Sequence, residues 1–260
     1  MAKDFIVAIE LGSSKITGIA GKKNPDGSIT VLSVAKEDSK ACMRKGVVYN
    51  IDKTAQALTN IINKLKGSLQ TDIARVYVGV GGQSLKGVKN VVVKDLPADS
   101  IVTQDIVNEL MDTNRNMKNN DYEVLDAITQ EYKVDMLDEL NPVGVQACHI
   151  EGNFLNLLWR KTFNRSLNKC FDNAGIPIVE MYVTPLAMAE EILTEAEKCA
   201  GCMLVDLGAD TTTVAIYTRD ILRHLFVLPL GSNNITKDLT ALKMEEREAE
   251  AMKLKYASAY

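Results

Sequence analysis

The 260-residue sequence predicts an α/β protein of two related halves, each opening on a βββ unit, with an α+β block set into the first. Three observations carry this expectation. The turn Glu10-Leu11-Gly12-Ser13-Ser14 returns in altered form, about two hundred residues later, as Asp206-Leu207-Gly208-Ala209-Asp210. Each copy ends a short apolar run and is followed by a strand bearing Ser or Thr, which makes it an internal repeat and not one isolated hairpin turn. Between the copies, the residues after Gly81-Gly82 turn more polar and carry strand and helix patterns of their own.

Residues 5–9 form a short apolar run that stops at the first turn, residues 15–20 resume as a second strand, and Asn24-Pro25-Asp26-Gly27 turns the chain into a third at 29–35. Asp52 is the expected N-cap of a helix to about residue 66, with Ala55, Leu58, Ile61, Ile62 and Leu65 on one face. A strand at 75–80 completes the order βββαβ. In the polar block, Val91 to Val93 suggests a strand, Thr103-Gln104-Asp105 opens a helix, 114–121 is a loop, and 122–136 and 146–159 are strands around Asn141-Pro142-Val143-Gly144. A helix to Ala174 ends at Gly175, the position of a C′ glycine. A strand at 178–183, a helix over 185–196 and strands at 203–207, 211–217 and 222–228 then repeat the opening layout.

The composition, 46% hydrophobic and 25% charged, is that of an ordinary globular protein. A formal charge of −4 with interspersed signs supplies no positive field for nucleic acid. Of five cysteines only Cys199 and Cys202 are close in sequence, and one CxxC is weak evidence for zinc; buried free thiols in a reducing cytoplasm are expected. His149 and His224 stand alone. The apolar run after Met1-Ala2-Lys3-Asp4 is too short for a signal peptide or a membrane span, so the protein is expected inside the cell.

A hairpin turn of small residues exposes backbone N–H groups, and glycine lets an anion approach them closely. Gly12 and Gly208, with the backbone at Ala209, suit that approach. Ser13, Ser14, Thr211 and Thr212 offer hydroxyl donors, and Lys15 a charge toward a β- or γ-phosphate. Glu10 and Asp206, the acids before the turns, are placed to hold Mg²⁺ through its waters, since that ion prefers oxygen ligands and keeps much of its hydration.

These residues resemble the actin, Hsp70 and sugar-kinase superfamily and, within it, the FtsA family of bacterial cell-division proteins. The resemblance runs along the whole chain, through residues 7–15, Gln130-Glu131-Tyr132 before Asn141-Pro142-Val143-Gly144, Thr184-Pro185-Leu186-Ala187, and residues 229–238. It implies an actin-like (ribonuclease H-like) fold of duplicated βββαβα domains with an inserted α+β subdomain 1C and an incomplete second half. The implied division is 1A at 1–82, 1C at 83–160, 1A again at 161–199, 2A from 200 to 232 and the start of 2B at 233–260. Glu250 and Lys253, in Ala249-Glu250-Ala251-Met252-Lys253, resemble the pair that contacts ribose and adenine in the superfamily.

The implied function is an ATP- and Mg²⁺-binding scaffold that polymerises and ties FtsZ filaments to the cytoplasmic membrane at the division septum. Subdomain 1C would recruit later division proteins. The family reaches the membrane through a C-terminal amphipathic helix, and none follows Tyr260; the sequence reads as an N-terminal portion, with the unpaired strand edge and exposed apolar face that favour association. Two departures from the family matter. Where the second motif usually reads Asp-x-Gly-Gly-Gly-Thr-Thr-Asp, Ala209 and Asp210 replace glycines and Thr213 an acid, so that Asp210 is expected to set a negative charge beside the phosphates. Thr184 stands where many relatives carry the Glu that positions water, and a threonine is no general base at neutral pH, so at most weak ATPase activity is expected. A pilus-assembly adaptor of the same fold and a superfamily kinase are the alternatives, the kinase lacking an evident aspartate base.

Overall fold

The structure, a computed structural model, describes residues 5–258. Met1 to Asp4, read above as the lead into the first strand, and the last two residues lie outside the described residues. The chain opens with β1 (Ile6–Leu11), β2 (Lys15–Lys23) and β3 (Ile29–Asp38), antiparallel neighbours as expected. A small hairpin of β4 (Met43–Arg44) and β5 (Val47–Val48) leads to helix α1 (Ile51–Leu69) and to β6 (Val76–Val80). The cap of α1 is Asn50, two residues before the expected Asp52: the Asn50 side chain accepts the Lys53 N–H at 3.0 Å, and Asp52 lies in the first turn, where its charge suits the helix dipole.

The polar block holds β7 (Leu85–Ile101), α2 (Gln104–Arg115), β8 (Tyr122–Val134), β9 (Leu137–Glu139) and β10 (Gln146–Arg160). Its sheet has the order β7-β10-β8-β9. Only Val91 to Val93 announces β7 in the sequence. The rest of its length comes from pairing along nearly all of β10, and Pro97 is tolerated because β7 is an edge strand and the register is irregular there. Three buried residues of α2 and the sheet, Leu110, Ile150 and Phe154, anchor this block's core.

The chain returns through α3 (Lys161–Ala174), β11 (Ile178–Val183), α4 (Thr184–Ile192) and α5 (Glu195–Ala200). Gly175 ends α3 in the left-handed conformation, as expected. The single helix expected over 185–196 is broken instead, because Thr194 and Glu197 form a reciprocal capping box that starts a new helix. β11 and β6 then join β1 in parallel, giving a five-stranded mixed sheet of order β11-β6-β1-β2-β3 with α1 and α3 packed on one face.

The second half holds β12 (Cys202–Leu207), β13 (Thr212–Thr218) and β14 (Ile221–Leu228) as an antiparallel sheet, then α6 (Ser232–Thr240) and α7 (Glu246–Tyr256). One core joins this sheet to the rest: Leu155 and Leu157 of β10, Val183 of β11 and Ala189 of α4 meet Ala215, Tyr217, Leu222 and Leu225. Buried Gln130 of β8 donates to the Leu222 carbonyl at 2.9 Å, and Arg223 pairs with Glu131 at 2.6 Å. Both turns are therefore held by one continuous framework.

Among the cysteines, Cys42 and Cys170 are buried as expected, whereas Cys148 and Cys199 are exposed. Burial pushes the Cys170 thiol up to about 11, which suits a packing role. His149 is not alone: its Nδ1 lies 2.8 Å from Asp95 on the neighbouring strand, and that partner raises its pKa.

A candidate phosphate and metal cleft between the two turns

Each turn is closed by the same short backbone contact. The Gly12 N–H donates to the Lys15 carbonyl at 3.0 Å, and the Gly208 N–H to the Thr211 carbonyl at 2.9 Å. A Cβ on either glycine would lie 2.8 Å from that carbonyl oxygen, so both turns require glycine by space alone. The strand ends match as well, with Glu10 opposite Thr17 and Asp206 opposite Thr213.

The two turns face one another across a cleft of about 380 Å³. Glu10, Gly12, Ser13, Ser14, Lys15, Asp206, Gly208, Ala209 and Thr211 all line it. Thr184, from the start of α4, lines it too. Burial raises the Glu10 carboxyl above its ordinary value, Asp206 raises it further, and Lys15 partly opposes this. Asp206 is also raised by burial. Glu10 is water-accessible at the open side yet enclosed by protein on the others, so the cause is the surrounding mass of protein and the facing acid.

Four expected residues lie elsewhere. The Thr212 hydroxyl donates to the Leu230 carbonyl at 2.8 Å, away from the cleft lining. Glu250 and Lys253 satisfy one another at 2.7 Å, and Lys253 also reaches Thr236 at 2.9 Å, fastening α7 to α6. Asp210, expected beside the phosphates, does not line the cleft. Its carboxylate turns to the Lys45 N–H at 3.1 Å and to the Asn233 amide at 2.7 Å.

Sequence reading missed Gly46, Gly81, Gly82 and Ser232, which also line the cleft, as does Thr213 where the family motif carries an acid. The Gly46 N–H donates to Ser13 Oγ at 2.7 Å, leaving the Ser13 proton free for an acceptor in the cleft. The Gly81-Gly82 pair after β6 was the available signal, read as a change of texture. For Gly46 the sequence carries no signal beyond a glycine after two basic residues.

The donor set fits a hydrated divalent cation and an anion's oxygens. Two carboxylates with raised pKa values approach from opposite turns, and backbone and hydroxyl donors surround them. A bound Mg²⁺ would supply charge neutralisation between these acids and a phosphate. Among the chain's own residues, Lys15 offsets the like charge of these two acids only in part.

Family models match the chain in two places: "Cell division protein FtsA" over residues 203–260 and "SHS2 domain inserted in FTSA" over residues 82–158. Cell division protein FtsA of Porphyromonas gingivalis is 35% identical over 254 residues, which cover 96% of this chain and 53% of that protein. This chain belongs to the FtsA family. Its resemblance to FtsA of Neisseria meningitidis is 29% identity over 98% of the chain and 62% of the relative, and to FtsA of Escherichia coli 24% over 99% and 61%. The chain thus spans between about half and three-fifths of the length of these FtsA relatives. In fold it is similar to a solved PilM-PilN type IV pilus biogenesis complex, with TM-score 0.67, 16% identity, and coverage of 96% of this chain and 69% of the other. It is also similar to ethanolamine utilization protein EutJ from Carboxydothermus hydrogenoformans, with TM-score 0.55, 12% identity, and coverage of 98% and 63%. The FtsA-family chain has an actin-like fold carrying an inserted SHS2 domain.

Proposed function

We propose that this FtsA-family chain belongs to an actin-like cell-division protein that holds ATP and Mg²⁺ between its two turns. The observation that carries the reading is the single cleft into which two turns about two hundred residues apart bring Glu10 and Asp206. Gly12, Ser13, Ser14, Lys15, Gly208, Ala209 and Thr211 take the phosphates, and Glu10 and Asp206 hold Mg²⁺ through water. Thr212, Glu250 and Lys253 act from behind, fixing the second turn and α6. Nucleotide serves as a structural signal and hydrolysis is slow, because Thr184 offers no base beside Glu10.

The larger role, also proposed, is to polymerise and to link FtsZ filaments to the cytoplasmic face of the membrane at the septum, with later division proteins docking on subdomain 1C. The division into 1A, 1C, 2A and 2B given above belongs to this reading. No described helix is long and apolar enough to cross a membrane. Titration of a fluorescent ATP analogue with Mg²⁺ into the chain and into a complete FtsA, paired with co-sedimentation on FtsZ filaments, tests both levels. Magnesium-dependent binding and FtsZ-dependent pelleting by the complete protein are expected; absence of both would overturn the reading. Capture of a pilus membrane-protein peptide in place of FtsZ would favour the adaptor alternative, which rests on fold alone.

A further inference from the structure

The turn between β4 and β5 consists of Lys45 and Gly46, both with positive φ, at 52° and 72°. A two-residue hairpin turn of this hand suits Asn-Gly; a lysine in its first position is disfavoured by contact of its Cβ with the backbone. Such an outlier persists where the surroundings over-determine it. Here three separate parts of the chain grip the turn. Ser13 of the first turn accepts the Gly46 N–H at 2.7 Å, the Lys45 carbonyl accepts the Gln83 N–H at 3.0 Å at the entry to the inserted domain, and Asp210 of the second turn accepts the Lys45 N–H at 3.1 Å. Gly46 and Gly82 are packed so closely that a Cβ on either would lie 2.5 Å from the other's Cα, so the turn has no slack.

Asp210 is held in its turn. Its other oxygen accepts from Asn233 at 2.7 Å, and the Asn233 N–H donates to the Ala209 carbonyl at 2.8 Å, tying the second turn to the start of α6. The recess around this carboxylate, about 580 Å³, is lined by Lys40, Arg44, Lys45 and Lys237. Lys40 spans the same gap to reach Glu246 at 3.4 Å. A carboxylate thus sits among cations and amide donors at the joint between the halves, beside a cleft whose chemistry suits anions.

We propose that Asp210 is a built-in bridge that holds the second turn against the first through the Lys45 peptide, setting the separation of the two turns from outside the cleft before any ligand arrives. The bridge runs from α6 through Asp210 to Lys45 and on to Gln83, so it links the two halves with the entry to the inserted domain. A glycine at 210 would leave that joint to the ligand. Asp210 is a positioning residue, and the part of the inference that concerns nucleotide entry rests on the reading of the cleft given above.

Hydrogen exchange at the Lys45 amide, measured on the ligand-free chain, tests the bridge directly. Asp210→Ala should speed exchange there about tenfold or more, while amides of α1 around Leu58 keep their protection. Asn233→Ala, which leaves the carboxylate but frees one side of it, should give a smaller increase at the same amide. Unchanged exchange at Lys45 in Asp210→Ala would overturn the bridge. Stopped-flow binding of a fluorescent ATP analogue with Mg²⁺ tests the consequence, with an association rate about tenfold faster expected in Asp210→Ala. Faster exchange with an unchanged association rate would overturn the gating of entry. A wild-type chain that binds no nucleotide overturns the nucleotide reading and the gating together, with the exchange result still deciding the bridge.

Discussion

The two turns are near copies in backbone and opposites in cover. Val7, Ile9 and Leu11 pair with Ala20, Gly18 and Ile16, and Met203, Val205 and Leu207 pair with Ile216, Val214 and Thr212 in the equivalent register. The first three are 2, 1 and 5% exposed; the second three are 61, 42 and 74% exposed. In the first half β6 lies beside β1, and α1 and α3 pack over the sheet. Among the described residues, β12 pairs only with β13, and no helix covers that face. A hairpin's geometry is thus written within a dozen residues, whereas burial is conferred by elements far away in the chain. The cleft needs only the first of these, so both turns form it despite their unequal support.

Truncating the equivalent leucines should separate the two turns most. Leu11→Ala should destabilise the chain by about 2–5 kcal/mol through lost burial and a residual cavity. Leu207→Ala should change stability by no more than about 0.5 kcal/mol, as surface substitutions do. Urea unfolding of the two variants checks the pair, and equal losses would mean that the second sheet is covered after all.

Backbone equivalence predicts the next effect. Gly12→Ala and Gly208→Ala each force a Cβ to 2.8 Å from a carbonyl oxygen, so each should cost about 1–3 kcal/mol and weaken nucleotide-analogue binding alike. A large loss from one and none from the other, by thermal melting and titration, would show that the turns are not interchangeable.

A smaller effect concerns charge. The Glu10 carboxyl is raised by burial and then by Asp206, so the folded chain binds its proton more tightly than the unfolded chain does. Stability from this group therefore falls as pH rises from the ordinary value of 4.5 through the raised one, and is regained on acidification. Glu10→Gln should leave the metal-free chain as stable as wild type or more so at pH 7, with the difference shrinking as the pH is lowered toward 4.5. Melting curves across that range check the sign.

How much was legible in the sequence follows the same division. Acid-Leu-Gly at two strand ends announced both turns and most of the lining, because hairpin chemistry is local. The cap at Asn50, the break at Thr194 and the length of β7 depend on partners a turn or a strand away, which the local pattern does not show. Asp210 was read as a charge facing the phosphates, since nothing local reveals the Lys45 and Asn233 donors that draw it aside. Glu250 and Lys253 are expected beside a base; their shared hydrogen bonding with Thr236 is a tertiary fact. Gly46 and Gly82 reach the cleft only through their mutual packing, which no spacing rule shows.

If the two turns make one site, a double-mutant cycle on magnesium-dependent binding of a fluorescent ATP analogue will show them coupled. Glu10→Gln and Asp206→Asn should each remove most of the gain in affinity that Mg²⁺ gives, and the double variant should be little worse than either, since both act on one ion. Independent, additive losses, or an Asp206→Asn variant that keeps its full response to Mg²⁺, would contradict a single site.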